Sequence, residues 1–451
     1  MESTQQDRAE RGRALRKDVP RSAHAEWTAP SSRADPIDVL EASNETRVGE
    51  LIPIRYGRML PSPFAFFRGS AGLMAMDLAG TPTSGLRVQA CGDAHVSNFG
   101  EFATPERTLV FDVNDFDETL PGPWEWDVKR LATSLDLVVR LQTSSTAVRA
   151  DVVEAAVSAY RERMADYAGM RVLDLWHARI EMDDVLGHFP SRYRAGVRRN
   201  VARAERRTHV EAAARLTRFE GGRRRFVEDP PLIIRLENTN HDPEEAVAML
   251  AGYRESLTED RRELLDRFRL MDVARKTVGV GSVGTRCWVA LFEGRHRGAG
   301  DPLVLQIKEA NASVLEPFAG PAALPHHGLR VVAGQRLTQS ASDIFLGWSE
   351  GPKSGRHYYV RQLWNMKGKG DPTLLDPAHL AWQGSLCAWA LARAHARTGD
   401  PAAIAGYVGR GATFDRAIVE FAARYGDQVE LDHAALLEAV ATGRVEARPG
   451  T

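Results

Sequence analysis

The chain has 451 residues, of which 43% are hydrophobic and 26% charged, and its formal net charge at pH 7 is −1. This length can hold two hydrophobic cores, and the balanced charge gives no overall attraction to nucleic acid or to an anionic membrane. The first forty residues are polar, and no apolar run approaches the ~20 residues that span a bilayer. Three widely spaced cysteines, Cys91, Cys287 and Cys387, argue against disulfides and zinc sites. These features predict a cytoplasmic protein.

Taken in chain order, the elements divide the sequence into four parts. Residues 1–44 are predicted to be a flexible segment, and residues 45–270 a helical lobe that includes two short strands. From residue 271 the pattern changes to five antiparallel strands with one helix between the third and the fourth, and residues 271–365 are assigned to this unit. Helices resume over residues 366–440. The predicted fold class is therefore α+β, with a β-rich lobe inserted between two helical segments.

A glycine-rich turn, VGVGSVG, joins the first two strands of the β-rich lobe. It contains Gly279, Gly281, Ser282 and Gly284. Such a turn lets the backbone lie close over phosphates, with amide hydrogens directed at the anion. A strand follows the turn and no Gly-Lys-Ser/Thr is present, which excludes a Rossmann fingerprint and a Walker A loop. An ordinary hairpin turn is the alternative interpretation.

A lysine lies near the end of the third strand, PLVLQIKEA. Strand alternation places Lys308 on the opposite face from Leu303, Leu305 and Ile307. The chain contains only seven lysines and otherwise uses arginine, which favours a specific role for this amine. A phosphate-binding lysine is one interpretation, and an edge-strand lysine that prevents aggregation is the other.

Two polar segments supply candidate catalytic and metal-binding groups. In GDAHVSN, Asp93 and Asn98 have the spacing of phosphoryl-transfer enzymes, in which Asp orients or deprotonates the acceptor hydroxyl and Asn holds magnesium. His95 between them is a candidate catalytic residue, metal ligand or loop brace. The strand TLVFDV leads to Asp115 and Asp117, whose carboxylates are candidate magnesium ligands. An ordinary turn is the alternative for GDAHVSN, and helix capping or a turn is the alternative for the acidic segment.

GDxHxxN followed by a strand ending in Asp resembles the aminoglycoside and choline kinase branch of the protein-kinase-like superfamily. This resemblance implies that Asp93 is catalytic, that Asn98 and Asp115 bind magnesium, and that Lys308 binds phosphate. It also implies a structural role for Asp127 in PWEWDVKRLA, and the helix containing LARAHA looks like the one before the catalytic loop.

The order of these parts differs from that of ordinary kinases. The GDAHVSN segment comes before the glycine-rich turn, by about 190 residues. The prediction is therefore a circularly permuted, bilobed kinase-like fold. The predicted helix after Lys308, residues 326–342, has no acidic residue, so Glu316 is the nearest candidate to pair with the lysine.

Most of the chain is similar to an uncharacterised bacterial family, domain of unknown function 2252. The shared segments, which fall within residues 45–430, include RYGRMLPSPFAFFRG, CGDAHVSNFG, FDVNDFDETLPGPWEWDVKRLA, QSASDIFLGW and YYVRQLWNMKG.

The predicted function is transfer of the γ-phosphate of ATP, with Mg²⁺, to a hydroxyl group of a small-molecule acceptor. Backbone groups of Gln362, Leu363 and Trp364 are expected to bind adenine. Two alternatives use the same cleft: transfer of AMP to a protein from a reversed nucleotide, and non-catalytic nucleotide sensing. RNA binding by the twelve arginines of residues 192–225 is a third. Neither a membrane nor nucleic acid is the expected partner.

Overall fold

The computed structural model describes residues 4–183, 185, 198–199, 202, 209–239, 243–277, 279–294, 300–363 and 370–449. Within these ranges the chain is a mixed α+β protein whose strands all pair antiparallel, in agreement with the predicted class. No helix in these ranges combines the length and the apolar character needed to cross a bilayer.

Helices predominate in the part of the chain before residue 217. The elements are α1 (Gln5–Ala14), α2 (Pro36–Ala42), α3 (Ile52–Met59), α4 (Pro63–Gly69), α5 (Ala71–Ala79), β1 (Arg87–Ala90), β2 (Phe99–Ala103), β3 (Leu109–Val113), β4 (Leu120–Pro123), α6 (Trp124–Arg140), α7 (Thr146–Ala168), α8 (Val172–His177) and α9 (His209–Leu216). Strand β1 pairs with β4, and β2 pairs with β3.

Strands and then helices make up the rest. The elements are β5 (Thr217–Glu220), β6 (Arg223–Phe226), β7 (Ile233–Arg235), α10 (Pro243–Glu255), α11 (Glu259–Leu265), β8 (Phe268–Lys276), β9 (Cys287–Gly294), β10 (Pro302–Glu309), α12 (Glu316–Ala319), α13 (His327–Thr338), β11 (Gly347–Glu350), β12 (His357–Gln362), α14 (Pro377–Thr398), α15 (Pro401–Val408) and α16 (Thr413–Ala441).

The main sheet has six strands in the order β11-β12-β10-β9-β8-β7. The five predicted strands are all present. The interval between the third and the fourth contains the predicted helix, α13, and also the short helix α12, which the sequence did not predict. The sequence missed β7, in which Ile233 lies opposite Lys276, because three residues are too few to show alternation. The prediction of five strands that begin at residue 271 is therefore wrong: the sheet recruits residues 233–235, and β8 already begins at Phe268.

The two faces of this sheet bury different side chains. Leu303, Leu305 and Ile307 pack with residues of α10 and α11 in one apolar cluster. Val304 belongs to a second cluster with residues of α9 and β6 on the other face. Lys308 is an even number of residues from Val304 and therefore lies on the same face of β10 as Val304. This is the face opposite the two leucines and the isoleucine, as the sequence predicts.

Helix α6 forms the centre of the helical body, and its residues from Trp124 to Val139 are all buried. Trp124 stacks on Tyr160 of α7, with ring centroids 5.6 Å apart. Many of the buried positions of α6 are polar, and Asp127 and Arg130 are both directed at the segment that follows β1. This helix therefore positions the candidate site as well as the core.

The N-terminal segment is ordered against the helical body, where the sequence predicts flexibility. Helix α1 packs on α15 through Gly12, where a Cβ atom would lie 1.9 Å from the carbonyl oxygen of Ala403. Arg33 bridges Asp77 at 2.8 Å and Asp432 at 2.7 Å. Backbone contact and ion pairs hold this segment against the helical body. Neither kind of contact requires apolar residues at regular spacing, so the sequence shows no pattern that predicts it.

Candidate active site

A cleft of about 760 Å³ lies between the main sheet and the helical body. It brings together most residues that the sequence singles out. Those that line it are Asp93, His95, Asn98, Asp115, Asp117, Gly279, Gly281, Ser282, Lys308, Gln362 and Leu363. Trp364 lies outside the described residues. Gly284 does not line the cleft: it adopts a φ of 89° and packs against the side chain of Arg47, so its role is to form the turn.

The GDAHVSN segment follows β1 and is hydrogen-bonded to side chains of α6. Asp127 accepts hydrogen bonds from the backbone N–H groups of Cys91 (2.6 Å) and Gly92 (2.9 Å), and it also contacts His395 of α14 at 3.1 Å. Gly92 has a φ of 80°, and a Cβ atom there would lie 2.4 Å from the carbonyl oxygen of Glu118. Only glycine fits this approach, so the conformation of the segment is tightly specified.

Asp93 faces the cleft with an oriented carboxylate. The guanidinium of Arg130 lies 2.5 Å from its Oδ1 and also donates to the backbone carbonyl of Phe67. His95 Nε2 lies 3.8 Å from Asp93 Oδ2. Arg130 is not among the residues predicted from the sequence, although it follows Asp127 by one helical turn in PWEWDVKRLA and therefore shares its face of α6.

Asn98 and Asp115 offer oxygen atoms suited to a hard cation. The Asn98 Nδ2 donates to the backbone carbonyl of Asp93 at 2.8 Å, which leaves its side-chain oxygen as the atom able to bind a metal. Asp115 Oδ1 is buried and has no hydrogen-bond partner among the described residues. The N–H of Asn114 bonds to the carbonyl of Asn98 at 2.8 Å and so holds the two segments together. A buried carboxylate oxygen that makes no hydrogen bond and an amide oxygen fit Mg²⁺.

Lys308 reaches across the cleft from β10 and is 2% exposed. Its Nζ is hydrogen-bonded to the Asp117 carboxylate and lies 3.7 Å from Asp115 Oδ1. Burial disfavours the charged amine, but Asp115 and Asp117 outweigh this effect and raise the pKa of Lys308 well above its usual range. The lysine is therefore charged at neutral pH.

Asp117, which the sequence predicts to be a magnesium ligand, forms an ion pair with Lys308 in this structure. Besides Lys308, it accepts hydrogen bonds from the hydroxyls of Tyr359 (2.7 Å) and Ser282 (3.2 Å). Burial opposes ionisation, but the charge of Lys308 outweighs it and holds the pKa of Asp117 below its ordinary value. In this structure Asp117 acts as the counterion that aligns the lysine.

Glu316, the predicted partner of Lys308, is used elsewhere. It accepts the backbone N–H of Ser313 at 3.0 Å and lies 4.0 Å from Arg330. Arg330, on α13, donates to the backbone carbonyls of Asp117 (2.8 Å) and Thr119 (2.6 Å). Helix α13 therefore fixes the acidic segment through an arginine, and that segment supplies the carboxylate for the lysine.

The glycine-rich turn is closed onto the helical body. A Cβ atom at Gly281 would lie 3.2 Å from the carbonyl oxygen of Arg68 at the end of α4. The N–H of Val48 donates to the carbonyl of Gly284 at 2.8 Å. Because Ser282 also reaches Asp117, the turn contacts both the acidic segment and α4, and it covers the cleft between them.

Comparison with known proteins places the chain in a family without indicating its activity. Neither the curated proteins nor the solved structures contain a significant match. A family model described as "Uncharacterized protein conserved in bacteria (DUF2252)" matches residues 47–439, a span that includes every candidate site residue above. The chain therefore belongs to the domain of unknown function 2252 family, as its shared segments indicate.

Proposed function

We propose that this protein is a phosphotransferase that uses ATP and Mg²⁺ to phosphorylate a hydroxyl group on a small molecule. One observation carries the proposal: Lys308 contacts Asp117 from a position 191 residues away in the chain, in the cleft that Asp93, Asn98 and Asp115 also line. These are the phosphate-binding, metal-binding and base groups that phosphoryl transfer requires.

The proposed fold is kinase-like and circularly permuted. Strand β1, which leads to Asp93, lies beside the end of α14: the Gln89 N–H donates to the Thr398 hydroxyl at 3.1 Å, and a Cβ atom at Gly399 would lie 3.1 Å from the carbonyl oxygen of Arg87. A direct link there would give the order sheet, hinge, helix, catalytic segment and metal aspartate. Adjacent ends of this kind are what a permutation needs.

In the proposed reaction the acceptor hydroxyl lies against Asp93, which takes up its proton. The acceptor oxygen forms a bond to the γ-phosphorus, and the bond between that phosphorus and the β,γ-bridging oxygen breaks, with the electron pair remaining on ADP. Lys308 and the amides of the 279–282 turn bind the phosphates. Asn98 and Asp115 would hold the magnesium ion, whose charge neutralises the phosphate oxygens. Arg130 keeps the Asp93 carboxylate directed at the acceptor.

Titration calorimetry with ATP, with and without Mg²⁺, tests the binding step. We expect magnesium-dependent binding in the wild type, weaker binding in Lys308→Met, and loss of the magnesium dependence in Asp115→Asn. The control is Lys353→Met, a lysine on the exposed turn between β11 and β12. Absence of nucleotide binding would refute the proposal.

Product analysis over a panel of hydroxyl-bearing metabolites tests the chemistry. We expect ADP and a phosphorylated acceptor, and both should disappear in Asp93→Asn. Release of pyrophosphate would instead show AMP transfer. Magnesium-dependent binding without turnover of any acceptor would indicate a nucleotide sensor.

A further inference from the structure

Arg68, the penultimate residue of α4, lines the cleft without a protein partner for its charge. Its Nε is buried and makes no hydrogen bond, and no described residue forms an ion pair with its guanidinium. Two neighbouring cleft arginines differ in this respect. Arg55 donates to the carbonyl of Gly69 at 2.9 Å, and Arg47 donates to the carbonyl of Val283. Arg68 is half-buried, but its Nε is removed from water without a hydrogen-bond acceptor. A buried donor left unsatisfied is costly, so Arg68 requires a different explanation from these two.

The position of Arg68 joins the glycine-rich turn to the candidate base. Its backbone carbonyl is the atom that Gly281 approaches. Its guanidinium lies over the ring of Phe64, 5.9 Å from the centroid, and that ring meets His95 edge to face at 6.4 Å. His95 in turn lies 3.8 Å from Asp93. The backbone of Arg68 therefore meets the glycine-rich turn, and its guanidinium lies on the Phe64 ring, next to the His95 and Asp93 side of the cleft.

The electrostatics of the cleft favour an anion next to Arg68. Burial lowers the pKa of Arg68, and the carboxylates of Asp93 and Asp371 act in the opposite direction without overcoming it. Asp93 is itself bonded to Arg130, so its charge is shared. A bound phosphoryl group would give the guanidinium the charged, planar partner that the protein does not provide.

We propose that Arg68 contacts the transferred phosphoryl group and stabilises its charge in the transition state. This inference rests on the proposed phosphotransferase function. As the bond from the γ-phosphorus to the β,γ-bridging oxygen breaks, with its electron pair remaining on ADP, and the bond to the acceptor oxygen forms, Asp93 takes the hydroxyl proton. Negative charge is then spread over the three equatorial oxygens, and an arginine supplied by the same chain can neutralise it.

A transition-state analogue separates this role from simple substrate binding. The affinities of Mg²⁺–ADP and of Mg²⁺–ADP with aluminium fluoride are measured for the wild type, Arg68→Met and Arg68→Gln. We expect the fluoride complex to bind the wild type more tightly than ADP alone, and both variants to lose this preference while keeping wild-type affinity for ADP. ATP turnover should fall by about 10³-fold, the lower end of the range for a transition-state arginine.

The control is Arg149→Met, an arginine of α7 that also has a buried Nε without a hydrogen bond but lies outside the cleft, 3.7 Å from Asp136. It should keep the preference for the fluoride complex. If Arg68→Met does not fold, as judged by circular dichroism, Arg68→Gln decides by the same affinity ratio.

Three results would overturn the inference and leave the proposed function standing. The first is a wild-type protein that binds ADP but gains nothing from aluminium fluoride. The second is an unchanged preference in both Arg68 variants. The third is a rise in acceptor KM at constant kcat, which would assign Arg68 to an anionic acceptor instead. Failure of the wild type to bind any nucleotide would be a failure of the proposed function itself.

Discussion

Replacing Lys308 with methionine should leave two acidic side chains, Asp115 and Asp117, without their cation. Removing one member of a buried ion pair typically costs about 3–5 kcal/mol of unfolding free energy. The lysine side chain is 3% exposed, but Asp117 is 27% and Asp115 33% exposed, so water can relieve part of the cost. We therefore expect a loss of about 3 kcal/mol at pH 7.5.

The pH dependence of this loss follows from the carboxylate. Lys308 holds the pKa of Asp117 below its ordinary value of 3.8, so the pair stabilises the wild type above that pH and less so as pH falls. The raised pKa of Lys308 keeps the amine charged throughout this range. In Lys308→Met, Asp117 protonates more easily. The difference between the two proteins should therefore be largest at pH 7.5 and shrink towards pH 4.

Urea unfolding at pH 7.5 and pH 4.5 measures both quantities. Asp117→Asn and the double variant complete a mutant cycle, in which Asp117→Asn should cost less in the methionine background than in the wild type. Lys353→Met serves as the control. Coincident transitions of wild type and Lys308→Met at pH 7.5, or an equal loss at both pH values, would refute the pairing.

Three further outcomes are expected. Burial raises the pKa of Glu118 from 4.5 to about 7. Ionisation of Glu118 therefore lowers the free energy of unfolding progressively as the pH rises between those values. In urea, Glu118→Gln should be more stable than the wild type at pH 8 and equally stable at pH 4.5. Asp127→Ala removes the acceptor of the Cys91 and Gly92 N–H groups. It should lower kcat by more than tenfold with little change in ATP affinity. A parallel loss of ATP affinity would contradict a role confined to the GDAHVSN segment. Arg393 is fully buried and donates to both oxygens of Asp112 at 2.7 Å. Arg393→Met should therefore lower the free energy of unfolding in urea by about 3–5 kcal/mol. A loss below about 1 kcal/mol would show that Asp112 finds another partner.

The sequence was sufficient to find the groups that meet in the cleft, but it did not determine which carboxylate does what. Asp115 and Asp117 are two residues apart, and their spacing makes both of them equally good candidates for metal ligands. The turn that begins at Asp117 is held by Arg330 through the backbone carbonyls of Asp117 and Thr119. It directs Asp117 to Lys308, whereas Asp115 Oδ1 lies 3.7 Å from the lysine and makes no hydrogen bond. No periodicity encodes such a turn.

The fold was predictable where side chains alternate and not where contacts are made by backbone or by charge. Strands β8, β9 and β10 show clear alternation, and all three occur. Strand β7 has three residues, and Gly12 packs through its backbone. Arg33 binds Asp432 across 399 positions of sequence. Long-range pairs of this kind require the tertiary structure, so the N-terminal segment could not be placed from its composition.

A crystal structure of the wild type with Mg²⁺ and a non-hydrolysable ATP analogue tests the central claim most directly. The expected complex has the metal on Asn98 and Asp115, the phosphates on Lys308 and the 279–282 turn, and the γ-phosphate next to Asp93. A nucleotide bound outside this cleft, or bound within it with its γ-phosphate distant from Asp93, would contradict γ-phosphate transfer by this site.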